Sequence, residues 1–323
     1  CAMILERRII KMYNLENCPL SDKNGAYGGQ AGLKEGIIFD NKYWLVKYPK
    51  STKSMARVED SYTTSPLSEY IGSHIYQILG INTHNTILGI RNKKVVVACE
   101  DFCIDGYELR EFRTIRNIYN KTLENKLIDE NVSDSGNNSV DLKEILIQMD
   151  NNPILINIQN FREYFFDMVI IDGLINNNDR NKGNFGLLFK NGDYKLAPVF
   201  DNGASFYSKT SDERLKIRLN DNNALEQSFL YTQTVYTLDD KELKFRDILN
   251  LDNEDIKKAI IKLTPIITKK MKDIKEFIEN IPEEFEGYKI ISKERKAYYY
   301  KSMEERLNKL IIPRYEKLKN LPN

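Results

Sequence analysis

"INNNDRNKGNFGLLFKNGDYKLAPVFDNGASF", residues 175–206, follows directly on the most apolar run of the chain. Within it, Asn191-Gly192 separates the β-prone segments "FGLLF" and "DYKLA". An Asn-Gly pair accepts positive φ at both central positions of a tight turn, so this spacing predicts a β-hairpin. Folding the two strands back on each other brings their outer ends together. Those ends carry Asn184 and Asp201, with Asp179 on the loop leading in.

Hard cations such as Mg2+ take a few carboxylate and amide oxygens together with phosphate oxygens. Asn184 and Asp201 are therefore the expected metal ligands, which leaves Asp179 to accept a hydroxyl proton. The order Asp-x-x-x-x-Asn, then a hairpin, then Asp-x-Gly is the arrangement of kinase catalytic loops. The same residue types also build plain Asx turns. The hairpin and the second Asp favour the metal–phosphate reading.

Upstream, "YWLVKYP" is a short strand closed by Pro49, and alternation puts Tyr43, Leu45 and Lys47 on one face. A lysine among apolar neighbours needs an anion, and nucleotide phosphates would serve, although an edge-strand lysine also fits. "GAYGGQAGLKEGIIF" before it holds Gly25, Gly28, Gly29 and Gly32, a turn whose backbone N–H groups can meet phosphates. No Gly-Lys-Ser/Thr follows, so it is not a Walker A loop. "SPLSEYIGSHIYQILG" reads as a helix with a Ser65 cap, Pro66 at its first helical position and Gly80 as its stop. Its apolar stripe is Leu67, Ile71, Ile75 and Ile78. Glu69 lies roughly opposite that stripe, either paired with Lys47 or solvated. "KKVVVACEDF" is a buried strand ending where backbone groups could meet adenine.

After Ile104 the pattern turns mainly helical. "IDENVSDSGNNSVD" is a polar loop. Residues 161–175 are apolar nearly all round, as a central helix should be. Met271, Ile274, Phe277, Ile278 and Ile281 mark another helix, and Met303, Leu307, Leu310 and Ile311 a last one stopped by Pro313. The expected architecture is α+β and two-lobed: residues 1–12 an extra leader, 13–103 a small β-rich N-lobe, and 104–323 a larger helical C-lobe.

The totals exclude several classes. With Lys+Arg 48 against Asp+Glu 47 in 323 residues, no overall field points to nucleic acid or an anionic membrane. Cys1, Cys18, Cys99 and Cys103 lack paired Cys-x-x-Cys spacing and read as reduced thiols. His74 and His84 are the only histidines, and neither is near the opening stretch in sequence, which argues against a Ser-His-Asp hydrolase and a multi-histidine metal site. No run has membrane-spanning length, and the first residues lack the h-region and cleavage site of an export signal.

Taken together these segments resemble the HipA family of bacterial serine/threonine kinases, within the wider protein-kinase fold. "GGQAGLKEG" is similar to that family's glycine loop, "SEYIGSHIYQILGI" to its helix through Glu69, Leu79, Gly80 and Ile81, and "EDF" to its hinge. "NDRNKGNFG" is similar to its catalytic loop and "APVFDNGASF" to its second metal segment. The resemblance implies a two-lobed HipA-like fold and ATP with Mg2+ as cofactors. It implies Gly28, Gly29, Gln30, Lys34 and Lys47 at the phosphates, Glu69 beside Lys47, and Glu100 and Phe102 next to adenine. It also implies Asp179 as base and Asn184 and Asp201 as metal ligands.

Departures from the family pattern change the expectation. No Ser or Thr occurs between Asp22 and Lys50, so the phosphorylatable serine of the toxin members' glycine loop is missing. Asn181 stands where the family often has histidine, able to donate to a phosphate but not to carry charge. No large N-terminal partner-binding subdomain is evident, which speaks against an antitoxin partner. The compact members imply a bacterial cytoplasmic product translocated into host cells, with a host protein as substrate. Ser205, Ser208, Thr210 and Ser211 are candidate autophosphorylation positions. Two other readings stay open: a nucleotide-binding pseudokinase scaffold, which would not need Lys47, Asp179, Asn184 and Asp201 together, and a lipid or small-molecule kinase, for which no basic patch stands out.

Overall fold

A computed structural model describes residues 10–26, 34–53, 60–132, 136 and 138–320. The first lobe is built on five strands, β1 (Tyr13–Asn14), β2 (Lys34–Phe39), β3 (Lys42–Lys47), β4 (Thr86–Arg91) and β5 (Lys94–Glu100), in the order β1-β4-β5-β3-β2. Two-residue turns with positive φ at Asp40 and Asn41, and at Asn92 and Lys93, join the hairpins and match the strand twist. Alternation divides the sheet into two faces. Ile37, Trp44, Val46, Val96 and Ala98 fill a small outer core. On the other face Leu88, Ile90, Val97 and Cys99 join the main core through α1 (Ser65–Ile78), which contributes Leu67, Ile71 and Ile75. Tyr43, Leu45 and Lys47 share a face, as alternation requires, and all three are half-buried.

Helix α1 begins one residue earlier than its sequence suggests, with Thr64 in the cap position and Pro66 in the first turn. Gly80, at φ 82°, follows its end in the left-handed conformation that glycine adopts without strain.

The second lobe is mostly helical. It contains β6 (Glu108–Glu111), α2 (Phe112–Ile115), α3 (Lys121–Asp129), β7 (Val140–Asp141), α4 (Leu142–Asn151), α5 (Phe161–Ile175), β8 (Gly186–Lys190) and β9 (Asp193–Leu196). Beyond these lie α6 (Asp212–Asn220), α7 (Asn222–Leu230), β10 (Gln233–Leu238), β11 (Lys241–Lys244), α8 (Phe245–Leu249) and α9 (Glu254–Glu279). The chain closes with β12 (Glu284–Phe285), β13 (Tyr288–Lys289), α10 (Lys293–Arg306) and α11 (Ile312–Lys319). Helix α5 is the axis of this lobe, and from Phe165 to Ile175 every side chain is buried. β8 and β9 form the hairpin the Asn-Gly pair predicts, with Asn191 at φ 50° and Gly192 at φ 92°. β6 completes a three-stranded sheet against β8.

Pro313 corrects one expectation. It stands in the first turn of α11 rather than stopping a helix, after a π-helical turn from Leu307 to Ile311. A proline there lacks only an N–H that the first turn leaves unused.

Candidate active site

The polar residues after α5 turn back onto the end of that helix. Asn176, at φ 55°, ends α5 in the left-handed region, and the Asn177 N–H donates to Asp172 O at 2.8 Å. Asn177 Nδ2 also reaches Asp172 Oδ1 at 3.0 Å, and Asn177 Oδ1 accepts the Asp179 N–H at 3.3 Å. The asparagines therefore replace continued helix with side-chain-to-backbone bonds that hold a tight loop.

A fully buried arginine, Arg180, ties this loop to the rest of the site. Its guanidinium makes a fork on the buried Asp172, Nε to Oδ2 at 2.7 Å and Nη2 to Oδ1 at 3.0 Å. Nη1 donates to the carbonyl of Asn184 at 2.9 Å and also to that of Phe200, and Nη2 donates to Asn202 Oδ1 at 2.6 Å. The backbone at Asn184 and the backbone just before Asp201 thus meet on one nitrogen. Burial and then the neighbouring Asp172 carboxylate hold the Tyr76 phenol well above its usual range, so it stays a donor to Asp172 at 2.8 Å. Lys182, also fully buried, anchors the loop through Glu144 of α4 at 2.8 Å.

Three charges from distant parts of the chain converge next. Lys47 Nζ lies 2.9 Å from Glu69 Oε2 and 3.0 Å from Asp201 Oδ1. Glu69 is fully buried, so its position opposite the apolar stripe does not face solvent. Its second oxygen lies 3.0 Å from His84 Nε2 and accepts the Asn202 N–H at 3.0 Å. Burial alone would lower the Lys47 ammonium, but the Asp201 and Glu69 carboxylates outweigh it and hold Lys47 well above the usual amine range. Burial would likewise raise Glu69, yet Lys47 and His84 hold it well below the usual carboxylate range. Asp201 sits at φ 59°, a region that side chains with a Cβ adopt rarely.

These groups face a cleft of about 900 Å3, lined among others by Lys34, Lys47, Glu69, Asn178, Asp179 and Asp201. Lys34 lies opposite Lys47 in the β2–β3 register. Among the described residues, Glu100, Phe102, Asn181 and Asn184 do not line it. Glu100 pairs with Lys42 at 2.7 Å, and Phe102 packs against Phe200 with ring centres 5.6 Å apart. Asn181 donates to Asp179 Oδ1 at 2.9 Å, and Asn184 Nδ2 is bonded to Asp179 O at 2.5 Å, leaving Asn184 Oδ1 out of that contact. Gly28, Gly29 and Gln30 lie outside the described residues. Of the hydroxyl candidates, Ser205, Ser208 and Ser211 are buried, and Thr210 is half-buried.

Sequence reasoning missed Arg180, Asp172, Asn202 and His84. Asp172 carries a readable signal, an acid inside an apolar helix that must find a partner. His84 carries none.

Helix α1 meets the Asp201 segment at Gly72, where a Cβ would stand 2.8 Å from Asn202 Cβ. Gly72→Ala is expected to push α1 off that segment and cut turnover about tenfold, with the loss of stability typical of an overpacked core, about 1–3 kcal/mol. Thermal melts and kcat on the purified variant check this. Wild-type values in both would show that the neighbour yields freely.

No protein-family model matches the chain. It is 30% identical over 301 residues to the serine/threonine-protein kinase CtkA of Helicobacter pylori, covering 91% of this chain and 85% of that protein. The crystal structure of a H. pylori proinflammatory kinase CtkA superposes with a TM-score of 0.80 at 27% identity, covering 96% of this chain and 99% of the other. The HipA toxin of Shewanella oneidensis, solved with HipB and operator DNA, shares the fold at a TM-score of 0.54 and 14% identity, over 92% of this chain and 69% of the other.

Proposed function

This chain belongs to the HipA-like serine/threonine-protein kinases, and from that premise we propose that it transfers the γ-phosphoryl group of ATP, with Mg2+ bound, to a protein serine or threonine. The observation that carries this reading is the Lys47 ammonium held between Glu69 and Asp201 in the cleft that Asp179 also lines.

The residue types, a carboxylate and an amide, suit a hard cation. Asp201 presents a carboxylate at the cleft, one oxygen of it on Lys47. Asn184 keeps an amide oxygen outside its bond to Asp179. Asn184 and Asp201 would hold Mg2+, which when bound neutralises charge on the phosphate oxygens. Lys47 supplies positive charge to the phosphates, with Glu69 fixing its ammonium, and Lys34 adds a second amine from the facing strand. Glu100 closes β5 and Phe102 follows two residues on, and these two would meet the adenine edge. Asp179 orients the acceptor hydroxyl and takes its proton as the oxygen–phosphorus bond forms and ADP leaves. Catalysis of this kind rests on positioning and electrostatics.

Thr210, the half-exposed hydroxyl of the four candidates, is the proposed autophosphorylation position. No helix among the described residues is long and apolar enough to cross a membrane. The proinflammatory description of the H. pylori kinase supports reading this chain as an effector that acts on a host protein.

The test is incubation with labelled ATP and Mg2+ followed by mass mapping, wild type beside Asp179→Asn. Removing the base is expected to slow transfer about a hundredfold with ATP affinity retained. An equal rate in the variant excludes Asp179 as base. Binding of ATP without transfer to any protein would leave a scaffold instead.

A further inference from the structure

We propose that Asn181 is a positioning residue that aims the Asp179 carboxylate at the acceptor hydroxyl, and not a ligand of the nucleotide phosphates. The proposal rests on the reading of Asp179 as base.

The Asp179 backbone is held on both sides. Its N–H donates to Asn177 Oδ1 at 3.3 Å, and its carbonyl accepts from Asn184 Nδ2 at 2.5 Å. What remains free is the side chain, whose terminal torsion has a broad well. Asn181 removes that freedom by donating from Nδ2 to Asp179 Oδ1 at 2.9 Å. The direction of this bond is fixed independently, because Asn181 Oδ1 accepts the Gly183 N–H at 2.9 Å and only the NH2 end is left for Asp179. With Oδ1 engaged, Oδ2 is the oxygen left outside that bond to meet a hydroxyl. Asp179 lines the cleft, and Asn181 spends both ends of its amide within the loop, one on Asp179 and one on Gly183. A neutral donor orients the carboxylate without forming an ion pair with it. Holding a reacting group in its attack geometry is worth orders of magnitude in rate, and a displacement of 1 Å can forfeit about a hundredfold.

The experiment uses the full chain with a protein acceptor and measures kcat, KM for ATP, and ATP affinity by calorimetry. Asn181→Asp keeps the shape and the acceptor for the Gly183 N–H while removing the donor. It is expected to lower kcat about ten- to a hundredfold and to leave KM and affinity for ATP within about twofold. Asn181→His, which restores a ring N–H, is expected to regain most of the lost kcat. In an Asp179→Asn background, Asn181→Asp should add no further loss, since both changes act through one carboxylate. ATP affinity that weakens in Asn181→Asp while kcat holds would make Asn181 a phosphate ligand and overturn the proposal, as would additive losses in the double variant. A wild-type rate in Asp179→Asn alone would instead remove the base assignment, so the two failures are separable. Thermal melts of each variant exclude unfolding as the cause.

Discussion

Arg180→Met is expected to destabilise the fold by about 3–5 kcal/mol, because it leaves Asp172 as a buried carboxylate without its ion-pair partner. Phosphoryl transfer should fall with it, although Arg180 itself touches neither reactant. The guanidinium gives five N–H groups in a rigid fork, and the structure uses them on Asp172, on the Asn184 and Phe200 carbonyls, and on Asn202 Oδ1. Methionine fills much of the same volume but meets none of these acceptors. A lysine could keep the charge beside Asp172 but could not bridge the two carbonyls and the amide together.

A second substitution separates stability from activity. Adding Asp172→Asn to Arg180→Met removes the stranded charge, so a large part of the lost stability should return in a urea melt. Transfer should not return, since the segments bearing Asn184 and Asp201 remain untied. Recovery of kcat along with stability would show that Arg180 matters only as a counter-ion. Failure of the double variant to regain stability would show that the two carbonyls, more than the ion pair, carry its contribution.

The parts of this fold that read well from sequence are those set by local pattern. The apolar run gives α5 its bounds, Phe161–Ile175, and Asn191-Gly192 gives the β8–β9 turn. Glu69 was ambiguous for a physical reason. A helical wheel counts apolar residues, and α1 has one apolar stripe, yet Ser68, Glu69, Gly72 and Ser73 are buried as well. Their burial comes from the Asp201 segment, whose Asn202 N–H reaches Glu69 across 133 residues of sequence. No periodicity encodes a partner that far away. Lys182 hides for the same reason, since a lysine in a polar loop looks solvated until Glu144 of α4 is packed against it. Pro313 shows the opposite error, a local signal whose meaning depends on which side of the proline the helix lies.

Lys47→Met should abolish most activity, about a thousandfold in kcat/KM, with the loss of the charged group proposed to meet the phosphates. Its effect on stability has a definite pH dependence. In the wild type, Glu69 is held below its unfolded value by Lys47 and His84. That contribution is therefore fully present above about pH 4.3, the unfolded value, and is lost as pH falls through the folded one. Without the ammonium, Glu69 keeps the Asn202 N–H and the His84 contact, but burial now acts on it with less opposition and Asp201 adds like charge. Its carboxyl should rise, so that folding the variant at neutral pH holds a disfavoured anion in the interior. The stability gap between wild type and variant should be widest near neutrality and close as the pH falls and Glu69 binds a proton in the folded variant. Thermal melts of both proteins from pH 4 to 8 measure that gap directly. A gap that stays constant across the range would mean Glu69 does not depend on Lys47, and a gap that widens in acid would mean another group carries the effect.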